Sequence, residues 1–304
     1  MKKIYAIVVT YKGKCWYDKC LGSLRTSTIP VQVVVVDNTP GDEDAEYIRA
    51  QYPEVHLIKT DKNLGFGKAN NLGIRYALDH NCDFVFLLNQ DAWLVQPNVL
   101  EQLIIHSDLN PEYGILSPMH LTADEKMLSI QYENSQHDCS RQLVNDLYCN
   151  QLQDIYETDY VNAAAWLLPE RTLKRVGGFN PLFYVYGEDD DYLHRVHFHK
   201  MKVGVCPKLR VIHDHTPFTH GMSSNKKEEK ELLVKLLDVN NSTSLREYKK
   251  YYFRKWIVAM FSANWNQMRY WWWKIMYVAK HERSIRSCRE IATDEYAWIK
   301  QVEK

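Results

Sequence analysis

Four apolar runs, at residues 4–9, 31–36, 55–59 and 84–88, alternate with segments of helical spacing at 15–27, 45–52 and 68–80. Runs of this kind suit strands buried on both faces. Strand–helix alternation with such short crossovers leaves few topologies open, and an α/β fold with a doubly wound, mostly parallel sheet is the one it predicts. Sheets of this type bind ligands beyond the carboxyl ends of their strands. Those ends are all polar here: Thr10-Tyr11, Asp37-Asn38, residues 60–63, and Asn89-Gln90-Asp91. They are expected to share one rim.

The rest of the chain is less regular. Residues 110–160 are mixed and polar and yield no ordered reading. Beyond them, 159–169 reads as a strand and 171–176 as a short helix ended by Gly177-Gly178. Residues 201–207 and 209–212 read as edge or near-edge strands. The small and charged residues 221–232 read as a loop or hinge. Residues 233–304 read as helices rich in Trp, Tyr, Lys and Arg. The expected organisation is therefore one domain over 1–220, with halves 1–95 and 96–220, and a helical C-terminal extension over 221–304.

Lys and Arg balance Asp and Glu at 38 each, so no global charge points to nucleic acid. The seven Cys are irregularly spaced and form no CxxC, which reads as reduced thiols rather than a zinc ribbon. The first apolar stretch is too short for a signal peptide, and no stretch reaches the ~20 apolar residues of a membrane span. The expected setting is cytoplasmic.

Six stretches then stand in order: IVVTYKG at 7–13, VVVVDN at 33–38, NLGFGKANNLGI at 63–74, FLLNQDAWL at 86–94, VGGFNPLFYVYGEDDDYLHR at 176–195 and VIHDH at 211–215. In these the chain resembles glycosyltransferase family 2 with the GT-A fold. The nearest branch contains bacterial rhamnosyl- and galactofuranosyltransferases of surface polysaccharide synthesis. The resemblance implies inverting transfer of a sugar from a nucleotide-diphosphate donor, a UDP- or dTDP-sugar, to a hydroxyl of a saccharide or lipid-linked saccharide acceptor. It makes 1–95 the nucleotide-sugar-binding half and 96–220 the acceptor half. It also implies a divalent cation, Mn²⁺ or Mg²⁺.

The residues admit both functional and structural roles. Asp37, beside Thr10 and Tyr11, can accept hydrogen bonds from a base or ribose, or cap the turn Asp-Asn-Thr-Pro-Gly. Asn63, Gly65 and Asn71 shape a glycine-rich helix start suited to a donor's phosphates. The family often carries Asp-x-Asp where this chain has Asn89-Gln90-Asp91, so only Asp91 is left as the carboxylate for the cation. His213 matches the position where related enzymes place a second ligand. No third nitrogen or sulfur ligand at a fitting spacing argues for zinc.

In a helix over 188–199, Glu188, Asp191 and Arg195 share one face, and Asp191 can pair with Arg195. Asp189 faces away from them. By the family's Glu-Asp-x-Asp pattern, Asp189 stands where the catalytic base sits. Trp166 and the aromatics at 183–186 are candidates for an acceptor wall or for core. Residues 245–280 mix Trp and Tyr with Lys and Arg, which fits a peripheral contact on the inner face of the cytoplasmic membrane or a homo-oligomer interface. Two other readings remain open: a nucleotidyltransferase, whose glycine-rich basic loop is not found after the first strand, and a glycan-binding module without catalysis.

Overall fold

The computed structural model describes residues 2–129, 139–214 and 224–300. Its centre is a nine-stranded mixed sheet in the order β3-β2-β1-β4-β8-β6-β9-β5, with β7 also on β9. The strands are β1 Ile4–Thr10, β2 Gln32–Asp37, β3 His56–Lys59, β4 Phe84–Asn89, β5 Ala92–Leu94, β6 Tyr113–Leu121, β7 Tyr156–Glu157, β8 Ala165–Pro169 and β9 Lys202–His213. The first four pair in parallel. Strand β8 then enters antiparallel to both β4 and β6.

The helices are α1 Tyr17–Arg25, α2 Glu43–Gln51, α3 Phe66–Asp79, α4 Val99–Leu109, α5 Cys139–Tyr148, α6 Glu170–Val176, α7 Glu188–Phe198, α8 Ser224–Leu237, α9 Leu245–Phe261 and α10 Trp265–Ile291. Successive side chains of a strand point to opposite faces, so the apolar runs feed two cores. Tyr5 and Ile7 pack with Ala69, Ile74 and Ala77 of α3 on one face. Ile4, Ala6 and Val8 pack with Leu21 and Leu24 of α1 and Leu100 and Leu103 of α4 on the other. Pairing sets Thr10 beside Asp37, Asp37 beside Lys59, and Val9 beside Asn89. The polar strand ends thus form one rim.

Two expectations are corrected. Residues 202–213, expected as two edge or near-edge strands, form a single strand, β9, next to the edge strand β5. Its register against β6 jumps after Cys206, so Pro207 falls in an irregularity where its missing N–H costs no ladder bond. The expected loop over 221–232 is helix from Ser224 onward. Its charged run is the solvated face, while Leu232, Leu233, Leu236 and Leu237 are buried. Residues 221–223 lie outside the described residues.

Helices α8 to α10 share a core with Phe183 and Trp298. The chain then returns to the first domain. Gly178 N donates to Ala297 O at 2.9 Å, Tyr296 N to Lys174 O at 2.8 Å, and Arg75 to Ile299 O at 3.0 Å. No helix among the described residues is long and apolar enough to cross a membrane.

Candidate active site

Strand β4 ends on Asn89 and, one residue past the turn, β5 begins at Ala92, which pairs with His213 at the end of β9. The turn carries the chain from β4 to the far edge of the sheet, and the β5–β9 pairing sets Asp91 beside His213. Asp91 Oδ1 lies 3.5 Å from His213 Nε2, with His213 almost enclosed and Asp91 partly open. Metal–ligand bonds of about 2.1 Å let two donors on one ion stand no more than ~4.2 Å apart, so the pair fits a shared divalent cation. No group of three or more His, Cys, Asp or Glu able to hold a metal exists among the described residues. Water and phosphate oxygens would have to complete the shell, as they commonly do for Mg²⁺. Asn89 adds an amide: its Nδ2 is 3.4 Å from His213 Nε2, and its buried Oδ1 has no hydrogen-bond partner. His215 lies outside the described residues.

The neighbouring polar residues largely serve the loops. Gln90 pairs with the backbone of Tyr11, accepting from its N–H at 2.8 Å and donating to its carbonyl at 3.1 Å. Tyr11 itself is exposed. Asp37 is fully buried; its Oδ1 accepts from Thr39 N and from the Thr10 hydroxyl, and Lys59 stands 3.3 Å from Oδ2. Its side chain caps this turn. Asn63 Oδ1 accepts from Gly65 N. Asn71 spends both ends of its amide on the backbone of Phe179, at 2.7 and 2.8 Å, and so supports the site from below. Gly65 has φ +83°, and a Cβ there would stand 2.1 Å from the Tyr184 carbonyl oxygen. Only glycine lets the 181–187 loop cross so close to the start of α3.

That loop ends in two left-handed residues, Tyr186 (φ 69°) and Gly187 (φ 97°), which turn the chain into α7. A bulky residue in this region is strained and persists only where surroundings impose it. The turn sets the four acids in different surroundings. Asp191 is buried and pairs with Arg195 at 2.9 Å. Glu188 is buried, its Oε2 has no hydrogen-bond partner, and burial together with Asp189 pushes its carboxyl up to about 7. Asp189 accepts from the Tyr160 hydroxyl at 2.7 Å and from Asp190 N. Burial, reinforced by Asp190, raises its carboxyl too. Asp190 meets Lys230 of α8 at 2.8 Å.

Trp166 is core, not wall: it is fully buried against Phe179 and Tyr192. Phe183 is also buried, whereas Tyr184 and Tyr186 are exposed. Three site residues had no sequence signal of their own. Tyr160 touches Asp189 across 29 positions, and Lys230 reaches Asp190 from the extension. Asn162 is buried with an unpartnered Nδ2 and lies on the segment whose Ala164 carbonyl accepts from Asn89 N. Residues 160–164 span no more than ~14 Å, so this segment ties Asp189 to the Asn89–Asp91 turn.

Residues 5–156 match the model of glycosyl transferase family 2, half of the chain, and the chain belongs to that family. It is 24% identical over 215 residues to the low-salt glycan biosynthesis hexosyltransferase Agl10 of Haloferax volcanii, covering 68% of this chain and 66% of that protein. It is 23% identical over 212 residues to the dTDP-rhamnosyl transferase RfbF of Shigella flexneri, covering 69% of this chain and 68% of that protein. The chain thus spans just under two thirds of the first relative's length. The mannosyltransferase PcManGT of Pyrobaculum calidifontis, solved with GDP-Man and Mn²⁺, superposes with a TM-score of 0.55 at 14% identity, covering 94% of this chain and 75% of that one. The shared fold is GT-A.

Proposed function

We propose that this protein transfers a sugar, with inversion, from a UDP- or dTDP-sugar to a hydroxyl of a saccharide or lipid-linked saccharide, in the synthesis of a surface polysaccharide. One observation carries the reading: Asp189, a carboxyl of raised basicity oriented by Tyr160, is tied by residues 160–164 to the turn holding Asp91 beside His213. Family membership and the relatives' glycan and rhamnosyl chemistry support it.

Asp189 takes the proton of the acceptor hydroxyl as that oxygen attacks the anomeric carbon. Positive charge develops on the sugar ring, as in other glycosyl transfers, while the acceptor proton passes to Asp189. Asp91 and His213 would hold a divalent cation, which when bound neutralises charge on the departing diphosphate. Asn89 Oδ1, Asn162 Nδ2 and Glu188 Oε2 are buried here without a hydrogen-bond partner, polar atoms a bound substrate could satisfy. Tyr184 and Tyr186 offer exposed rings to the acceptor.

The test is a panel of nucleotide sugars in Mn²⁺, scored by release of nucleoside diphosphate with and without acceptor. One donor should turn over, chelation should abolish release, and added Mn²⁺ or Mg²⁺ should restore it. Full activity in chelator would remove Asp91 and His213 from the metal role. Turnover of no donor, together with tight binding of a glycan, would favour a binding module.

A further inference from the structure

The hairpin of α9 and α10 carries a surface that sugar transfer does not use. Its buried residues are Leu245, Tyr248, Tyr252 and Ala259 on α9 and Tyr277, Val278, Ile285 and Cys288 on α10. Trp271, Trp273 and Ile275 pack partly against the core, but residues 260–267 around the turn are all exposed, so the end of the hairpin projects from the body. Large apolar side chains crowd that end. Phe261 is 84% exposed and Trp265 72%, and Phe253, Val258, Trp272 and Met276 are also exposed. Buried packing does not require them there, and a patch of this kind marks an interaction site.

Charge identifies the partner. Residues 245–280 carry eight Lys and Arg against one acid, Glu247, in a chain of zero net charge. Lys249 is paired with Glu282, whereas Arg254, Lys255 and Arg269 form no ion pair among the described residues. Arg254 and Lys255 stand about 10 Å behind Phe261 along α9, and Arg269 about 6 Å behind Trp265, at 1.5 Å per residue. Interfacial helices bury their apolar side ~5–10 Å into the boundary between headgroups and acyl chains. The basic collar therefore lies at the depth of lipid phosphates when the aromatic end is immersed. A second copy of the hairpin is a poorer occupant, since a two-fold contact would set the same cations face to face.

We propose that the projecting end of this hairpin docks the protein on an anionic lipid surface, with Phe261 and Trp265 in the acyl boundary and Arg254, Lys255 and Arg269 at the phosphates. The proposal does not depend on the sugar chemistry above. Vesicles of phosphatidylcholine, with and without phosphatidylglycerol, test it by co-sedimentation of the full chain. The protein should sediment with the anionic vesicles, less as salt rises, and weakly with the neutral ones. Arg254→Gln, Lys255→Gln and Arg269→Gln should each weaken binding about fivefold. The Phe261→Ser, Trp265→Ser variant should weaken it at unchanged circular dichroism, because both side chains are exposed. Failure of the wild-type protein to sediment would overturn the proposal, as would variants that bind as well as wild type. Conversion of a dimer to a monomer by Phe261→Ser, Trp265→Ser, with vesicle binding unchanged, would make the patch a subunit interface instead.

Discussion

Arg195 has no exposed surface. It donates to Asp191 Oδ2 at 2.9 Å and to the carbonyls of Val176 and Gly178, and its guanidinium lies 4.6 Å from the Trp298 ring centroid. Removing one member of a buried pair strands the other charge, so Arg195→Met should cost about 3–5 kcal/mol in denaturant unfolding; a loss near zero would mean that this pair does not hold α7 to residues 176–178. Glu188 and Asp189 contribute in a different way. Their carboxyls are raised in the folded chain, so the folded state binds more protons than the unfolded one. Their stabilisation is complete below the ordinary carboxylate range and is lost as pH rises through about 7 for Glu188. Glu188→Gln should flatten the fall of melting temperature across that window, and an unaltered slope would assign it elsewhere. The Asp191–Arg195 pair is visible in the sequence because helical spacing brings i and i+4 together. Tyr160 is not, because only the packing of the 158–164 segment against α7 sets it on Asp189.

Among the elements, α8 is the one that local composition hides. Its run of Lys and Glu has the look of a linker, and the apolar residues that bury it come only at its end. The helix delivers Lys230, whose charge lowers the proton affinity of Glu188 and Asp189. Lys230→Met should therefore move the acidic limb of the pH–rate profile to higher pH, and Lys230→Arg should leave it in place. An unshifted limb in Lys230→Met would make the contact with Asp190 merely structural. The strands were easier to read, since β1, β2 and β4 are continuous apolar runs. Pro207 breaks the apolar pattern of β9 into two pieces, a break the sheet absorbs as an irregularity.

At the scale of the whole molecule, helices α8 to α10 and residues 294–300 pack on the rest of the chain. Ala297 bonds Gly178, Trp298 covers Arg195, and Phe183 belongs to the core of α8 to α10. A chain cut near residue 220 should lose cooperative melting or solubility, and a cut chain melting like the full one would show an independent first domain. The first half of the sheet could be derived from periodicity; the return of residues 294–300 could not, because nothing local records contacts spanning a hundred residues. In the proposed reaction the tasks divide between the β4–β5 turn and the end of β9, which carry Asp91 and His213, and α7, which carries Asp189. That division is tested most directly by the turnover of Asp189→Asn, measured beside its affinity for the donor. Loss of a general base predicts a fall in kcat of about 10²–10⁴-fold with donor binding nearly intact, whereas Asp91→Ala should weaken donor binding as well. Turnover of Asp189→Asn within about tenfold of wild type, against that expected loss, would contradict the account.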